Sequence, residues 1–109
     1  MTLESSFARV HREQLRDDKF VTKTATCTLK PHELFVNIDS TAGSMTVTLA
    51  PVAEMRGKFV TLYVTVYSGA ITIAAGDSVD FTAPTFNGVD DGCVFYSDGV
   101  HWWNLGTRT

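Results

Sequence analysis

"KFVTLYVTVYSGAITIAAG", residues 58–76, decides how this chain is read. Its side chains alternate with a period of two, the signature of strands whose neighbours point to opposite faces of a sheet. Ser68-Gly69 suits a two-residue turn. The spacing therefore predicts a hairpin in which Val66 faces Ile71 and Val64 faces Ile73, giving one aliphatic face. The opposite face carries Phe59, Tyr63 and Tyr67 among Thr61, Thr65 and Thr72. The strand is bulky on both sides.

"FYSDGVHWWNL", residues 95–105, repeats the problem. With Asp98-Gly99 as a type I′ turn, Tyr96 pairs with His101, Phe95 with Trp102 and Val94 with Trp103. Phe95 and Trp102 share one face. Val94, Trp103 and Leu105, flanked by Tyr96 and His101, share the other.

The pattern continues outward. "ELFVNI" (33–38) sets Leu34, Val36 and Ile38 on one face, and "SMTVTL" (44–49) does the same with Met45, Val47 and Leu49. Joined through Ser40–Gly43, they match as Leu34 with Leu49, Val36 with Val47 and Ile38 with Met45, which predicts another antiparallel pair. "TATCTL" (24–29) alternates before Pro31 breaks it. "APVAEMRG" (50–57) has proline and glycine where a single helical turn starts and stops. A short strand is expected around Val79–Thr82, then a polar loop closed by Asn87-Gly88 and Asp91-Gly92. The fold class is all-β: about eight short antiparallel strands in a β-sandwich or jelly-roll-like domain over residues 23–109.

Residues 1–22 read differently. "SSFARVHREQLRDDKF" (5–20) spaces Phe7, Val10 and Leu15 among charged groups, with Ser5 or Ser6 placed to cap a short helix. The apolar stripe is too thin for a stable isolated helix. The expectation is an N-terminal arm, extended or short-helical, that orders on a partner.

At 109 residues, 44% hydrophobic and 19% charged, the chain is long enough for one folded domain with a small core. Thr is abundant, at 15 residues, and favours strands. Residues 1–30 hold six of the nine Lys and Arg against four acids, whereas residues 31–109 hold three against eight. A slightly basic head thus precedes an acidic body, as expected of an arm that reaches for an acidic partner. No dense basic patch interleaves with the aromatics, which argues against nucleic acid. "MTLESSFARV" lacks a basic start followed by an apolar run, and no stretch approaches ~20 apolar residues. Synthesis in a cytoplasm, no membrane span and unpaired, buried Cys27 and Cys93 are the expectations.

Little points to chemistry. His11, His32 and His101 are the only imidazoles, and no nucleophile elbow or phosphate loop accompanies them. The chain is not expected to be an enzyme. Asn87, Asp90 and Asp91 in "NGVDDG" do not follow the spacing of a calcium loop and read as turn residues. Two Cys and three His give no zinc spacing. No metal or cofactor is expected.

What remains is the apolar second face of two strand pairs. One face of a sheet can meet another sheet about 10 Å away, but the other should be polar if it meets water. Exposed aromatic patches mark contact surfaces. Three covers are open: another copy of the chain, the chain's own segments (the arm, residues 84–92 or "TATCTL"), or a ligand such as a sugar stacking on Trp102, Trp103, Tyr63 and Tyr67.

The closing "VFYSDGVHWWNL" (94–105), with "LFVNIDSTAGSMTVTLAP" (34–51), "MRGKFVTLYVT" (55–65) and "SGAITIAAGD" (68–77), resembles small β-structured virion proteins of tailed bacteriophages, among them capsid decoration (cement) proteins and domains of head and tail fibres. The likeness covers about residues 33–105 and is one of style, without a catalytic signature. A small β domain with an ordering arm is similar to the decoration type. The resemblance implies a virion protein, made in a host cytoplasm, that sits as a homotrimer on the outer capsid surface and clamps major capsid protein subunits. On that reading Phe7, Arg9, Val10, Arg12, Leu15 and Arg16 form the capsid-binding arm. Phe59, Tyr63, Tyr67, Tyr96, Trp102 and Trp103 form the subunit interface. The alternative is a tail-fibre or head-fibre adhesin domain that binds host-surface carbohydrate through exposed aromatics.

Overall fold

A computed structural model describes residues 20–78 and 81–109. The arm residues Phe7, Arg9, Val10, Arg12, Leu15 and Arg16 lie outside the described residues, as do Val79 and Asp80 of the strand expected there. The described chain is mostly β. Eight strands follow in order: β1 (Phe20–Lys23), β2 (Cys27–Thr28), β3 (Phe35–Asp39), β4 (Met45–Thr48), β5 (Phe59–Val66), β6 (Ile71–Ala74), β7 (Gly92–Ser97) and β8 (Trp102–Arg108). One 3-10 turn, Val52–Met55, separates β4 from β5. It lies where proline and glycine predict a helical turn, and Gly57 follows it at φ +79°.

The strands form two sheets, ordered β1-β3-β5-β7-β8 and β2-β4-β6. The chain alternates between them for its first six strands. Within each sheet those strands are parallel: Val36 pairs with Leu62 and Ile38 with Val64 in one, Val47 with Ile73 and Met45 with Ile71 in the other. This is the connectivity of a short β-helix, not of an antiparallel jelly roll. Only β5-β7 and β7-β8 are antiparallel.

Two expected hairpins are thereby corrected. Residues 34–49 and 58–74 each contain one strand from each sheet. Alternation fixes which face a side chain takes, but not which strand lies beside it. Val36 and Val47 do share an apolar environment, since both are fully buried in one core, yet they reach it from different sheets.

The corners show why. Ser40, fully buried where the chain leaves β3, accepts hydrogen bonds through Oγ from the Ser68 and Gly69 amides at 3.0 and 3.2 Å. Its carbonyl accepts from Gly69 N at 3.0 Å, and its own amide donates to Val66 O at 3.0 Å. One corner thus seats directly on the next. A Cβ on Gly69 would lie 2.0 Å from the Gly43 carbonyl carbon. Gly69 is required for this close approach and not for a positive φ, which only Gly43, Gly57 and Gly99 adopt among the described glycines.

The hairpin at 92–108 is retained, with a changed register. Asp98 Oδ1 accepts from Val100 N and His101 N at 2.8 and 2.7 Å, which builds an Asx turn. The wider turn pairs Ser97 with Trp102, Tyr96 with Trp103 and Phe95 with Asn104. This shift of two residues leaves Phe95 and Trp102 facing inward and Trp103 outward, and past a bulge between Val94 and Phe95 the partner of Val94 is Gly106.

The core between the sheets holds Val36, Ile38, Val60, Leu62 and Val64 from one wall and Met45, Val47, Ile71 and Ile73 from the other. Strands β7 and β8 extend the first sheet beyond the second. There the half-buried Phe81 packs against Phe95, their rings tilted by 36° at 5.6 Å, and Phe86 is buried in the same core. The domain starts earlier than residue 23: β1 pairs with β3 from Phe20 onward, inside the segment read as arm. Lys23 closes that edge with an ion pair to the buried Glu33 at 2.7 Å.

Candidate functional site: the outer face of the five-stranded sheet

Each strand of the larger sheet sends alternate side chains away from the core. The register aligns them in rows. Phe20 of β1 pairs with Phe35 of β3, and their rings stack at 4.6 Å. Phe59 of β5 pairs with Tyr96 of β7, which pairs with Trp103 of β8, and the first two rings lie 5.0 Å apart. Asn37, Tyr63, Gly92 and Arg108 form a third row. Phe20, Phe35, Phe59, Tyr63 and Trp103 are 38–56% exposed. Among the described residues, nothing covers this face.

Four of the expected interface residues, Phe59, Tyr63, Tyr96 and Trp103, are brought together here. Two are not. Trp102 is 4% exposed and belongs to the core, where its indole donates to Ala50 O at 3.3 Å and its ring meets Phe95 edge-on. Tyr67 packs half-buried against the core at the corner after β5. The adjacent tryptophans divide as strand neighbours must, one inward and one outward. Sequence reasoning missed Phe20 and Phe35. Phe20 falls in the segment read as arm, whereas Phe35 has the opposite parity to Val36 and Ile38, a signal that the sequence carries.

Trp103 is held in place. Its Nε1 donates to Asp98 Oδ2 at 2.9 Å, and His101 lies beside its ring at 5.6 Å between centroids. The His101 amide, the Trp103 indole and the Val100 amide together lower the Asp98 carboxyl to about 2. The face therefore combines apolar rings with one fixed anion at its β8 edge.

A shallow depression of about 490 Å³ interrupts the rings. Its lining includes Thr61, Tyr63, Asp90, Gly92, Val94, Gly106 and Arg108. Gly92 is required there: a Cβ would lie 2.9 Å from Leu62 O. Gly106 has open space above it.

The groups with reactive potential are occupied structurally. Asp91 accepts from the Asn87 and Gly88 amides and so closes the "NGVDDG" turn. Cys93 is buried and Cys27 half-buried, both as free thiols. Burial pushes both above the ordinary thiol value, partly offset at Cys27 by the Lys23 charge and at Cys93 by the Thr107 hydroxyl. Both stay protonated at neutral pH. Low-pKa thiolates, the form in which cysteine attacks or binds metal, are therefore not prepared at either position. No known protein family matches this chain, and no curated protein is similar to it at a significant level.

Proposed function

We propose that this chain is a structural virion protein of the capsid decoration type. It self-associates through the outer face of the five-stranded sheet and binds the outside of a bacteriophage head, bridging major capsid protein subunits. The observation that carries the reading is that face: five exposed aromatic rings on the outer side of one sheet, with no cover from the described chain. Exposed apolar patches of this size are often functional contact surfaces. The likeness of residues 33–105 to small phage virion proteins supplies the context.

In this reading the β domains cover one another's rings, and residues 1–19, with Phe7, Val10, Leu15, Arg9, Arg12 and Arg16, lie on shell subunits. Several arms on one oligomer multiply weak contacts through effective concentration. A shell gains stability because the protein binds the assembled form. Co-sedimentation with expanded, undecorated phage heads tests this. Pelleting at a fixed saturating ratio is the expected result, and its loss on removing residues 1–19 would locate the contact in the arm. Failure to pellet with heads at any concentration overturns the proposal.

One observation favours a second reading, a fibre adhesin that binds carbohydrate. Trp103 is an exposed ring whose orientation is fixed by Asp98, the arrangement a stacking sugar requires. That reading predicts pelleting with host cells and not with heads. It also predicts a shift of tryptophan fluorescence with surface glycan that Trp103→Ala abolishes.

A further inference from the structure

We infer that the depression lined by Gly92 and Gly106 is the socket of the subunit seam, and that it receives an aromatic ring from a second copy of this chain. The inference rests on the reading of the aromatic face as a self-association surface, and adds the place where the two copies interlock.

Area selects the occupant. At roughly 200 Å² for a whole ring, the five exposed rings present about 470 Å². A standard interface takes about 800 Å² from each partner, of which some 56–65% is apolar. The rings alone supply the apolar part of one partner's share. Residues 1–19 are a poorer fit. They carry eight charged residues, and Leu3, Phe7, Val10 and Leu15 besides Met1 are their only large apolar groups. A second copy brings a matching set of rings on a flat sheet of the same size.

Shape selects the socket. A face of protruding rings cannot close on an identical face without somewhere for a ring to go, since interface cores pack as densely as protein interiors. The side chain missing at Gly106 leaves that room in the lining it shares with Tyr63. The lining is mostly apolar surface and includes Arg108 and Asp90, neither of which has a salt-bridge partner among the described residues. Opposite charges on one rim can pair across a seam and set its register. Phe20, Phe35, Phe59 and Trp103 lie outside the socket, so a ring of one copy can enter the socket of the next around a closed ring of subunits, as a threefold assembly requires.

Gly106 gives a direct test. A Cβ there meets nothing within 4 Å and its φ is not positive, so a side chain fills the socket without straining the subunit. The full-length chain, Gly106→Leu, Gly106→Ala, Phe59→Ser and the control Gly76→Leu, which also opens onto free space, are compared by sedimentation velocity over a concentration series. Far-UV circular dichroism checks that each is folded. The expected result is an associating wild type and Gly76→Leu, with Gly106→Leu needing at least about tenfold more protein to associate and Gly106→Ala shifted less in the same direction. Unchanged association of Gly106→Leu beside a dissociated Phe59→Ser overturns the socket and leaves the seam in place. A wild type that stays monomeric throughout overturns both. So does a monomer that binds a hydrophobic dye only after residues 1–19 are removed, because the cover is then the chain's own segment.

Discussion

Gly69→Ala tests the stacked corners that make this fold a coil. The new Cβ would stand 2.0 Å from the Gly43 carbonyl carbon and 2.3 Å from Gly43 O and Ser44 N. Carbon atoms not bonded to each other settle at about 3.5–4.0 Å. The two corners must therefore separate by more than an ångström, and the atoms in the way are backbone that no rotamer change can move. Separation breaks the bonds from the Ser68 and Gly69 amides to Ser40, made at 3.0–3.2 Å. A buried polar group left without its partner costs about 1–3 kcal/mol, and overpacking adds about 1–3 kcal/mol. A total near 4 kcal/mol is expected, against about 5–15 kcal/mol for a whole domain. At roughly 4–8 °C per kcal/mol for a domain of this size, thermal unfolding followed by far-UV circular dichroism should fall by about 15 °C or more. Gly76→Ala, with nothing within 4 Å, should fall far less. Gly69→Asn sharpens the test, because a hairpin turn with positive φ accepts Asn whereas a close backbone approach rejects Asn and Ala alike. A Gly69→Asn protein as stable as wild type would refute the stacked corner and restore the hairpin.

Four further outcomes follow from the geometry. Burial opposes ionisation of Glu33, but the Lys23 ammonium and the Lys30 amide outweigh it and hold its carboxyl below the ordinary value. Its contribution is therefore complete above the unfolded value, ~4.3, and is lost as pH falls below it. Glu33→Gln should cost about 1–3 kcal/mol in urea unfolding at pH 7, and should flatten the acid limb of a stability-versus-pH series. Asp98, at about 2, holds its bonds to Trp103 and the 98–101 turn above the ordinary carboxylate range and loses them as pH falls toward 2. An acid-induced change in tryptophan emission should therefore vanish in Asp98→Asn, and its persistence there would assign it to another group. Trp102→Ala should cost about 3–5 kcal/mol by opening the core, while Trp103→Ala should cost less than about 1 kcal/mol in the monomer; equal urea midpoints would refute the division of the pair. A chain starting at Phe20 should keep the wild-type fold. One starting at Thr24 loses β1, the Phe20–Phe35 stack and the Lys23–Glu33 pair, and should melt at least about 8 °C lower.

The parity of nearly every strand was legible in the sequence. Val36, Ile38, Met45, Val47, Val64, Ile71 and Ile73 all lie where alternation puts them, in the core. Neighbour identity was not legible. A run such as Leu34–Ile38 pairs its apolar residues equally well with an antiparallel "SMTVTL" or with a parallel β5, because both matches are apolar on one face and period two carries no direction. The information that decides is held in Ser40 and Gly69, a polar residue and a glycine whose partners are far away in sequence. Serine at a turn ordinarily reads as solvated, and its burial is visible only once two corners are stacked. The site was half legible for the same reason. Phe59, Tyr63, Tyr96 and Trp103 were recognised as outward rings on two-sided strands, but Phe20 and Phe35 join them only through parallel pairing of β1 with β3 and β3 with β5.

The coil also explains why one face is left bare and the other is not. A parallel coil needs only one core between its sheets, so its strands need apolar side chains on a single face. The outward residues of the smaller sheet obey that rule: Thr28, Thr46, Thr48 and Thr72 suit water. The larger sheet departs from it at Phe20, Phe35, Phe59, Tyr63 and Trp103, on four of its five strands. Folding of the coil does not require any of these rings, since the core on the inner side is complete without them. Strand propensity does not require them either, because the threonines opposite serve it as well. The two faces are built from the same strand physics, and on the reading proposed above the difference between them comes from outside the subunit. The same logic applies to Gly106, which neither a positive φ nor a crowded Cβ demands. On the reading proposed above, a residue that the subunit does not need, lying in a gap between rings that the subunit does not need, is explained by what docks there.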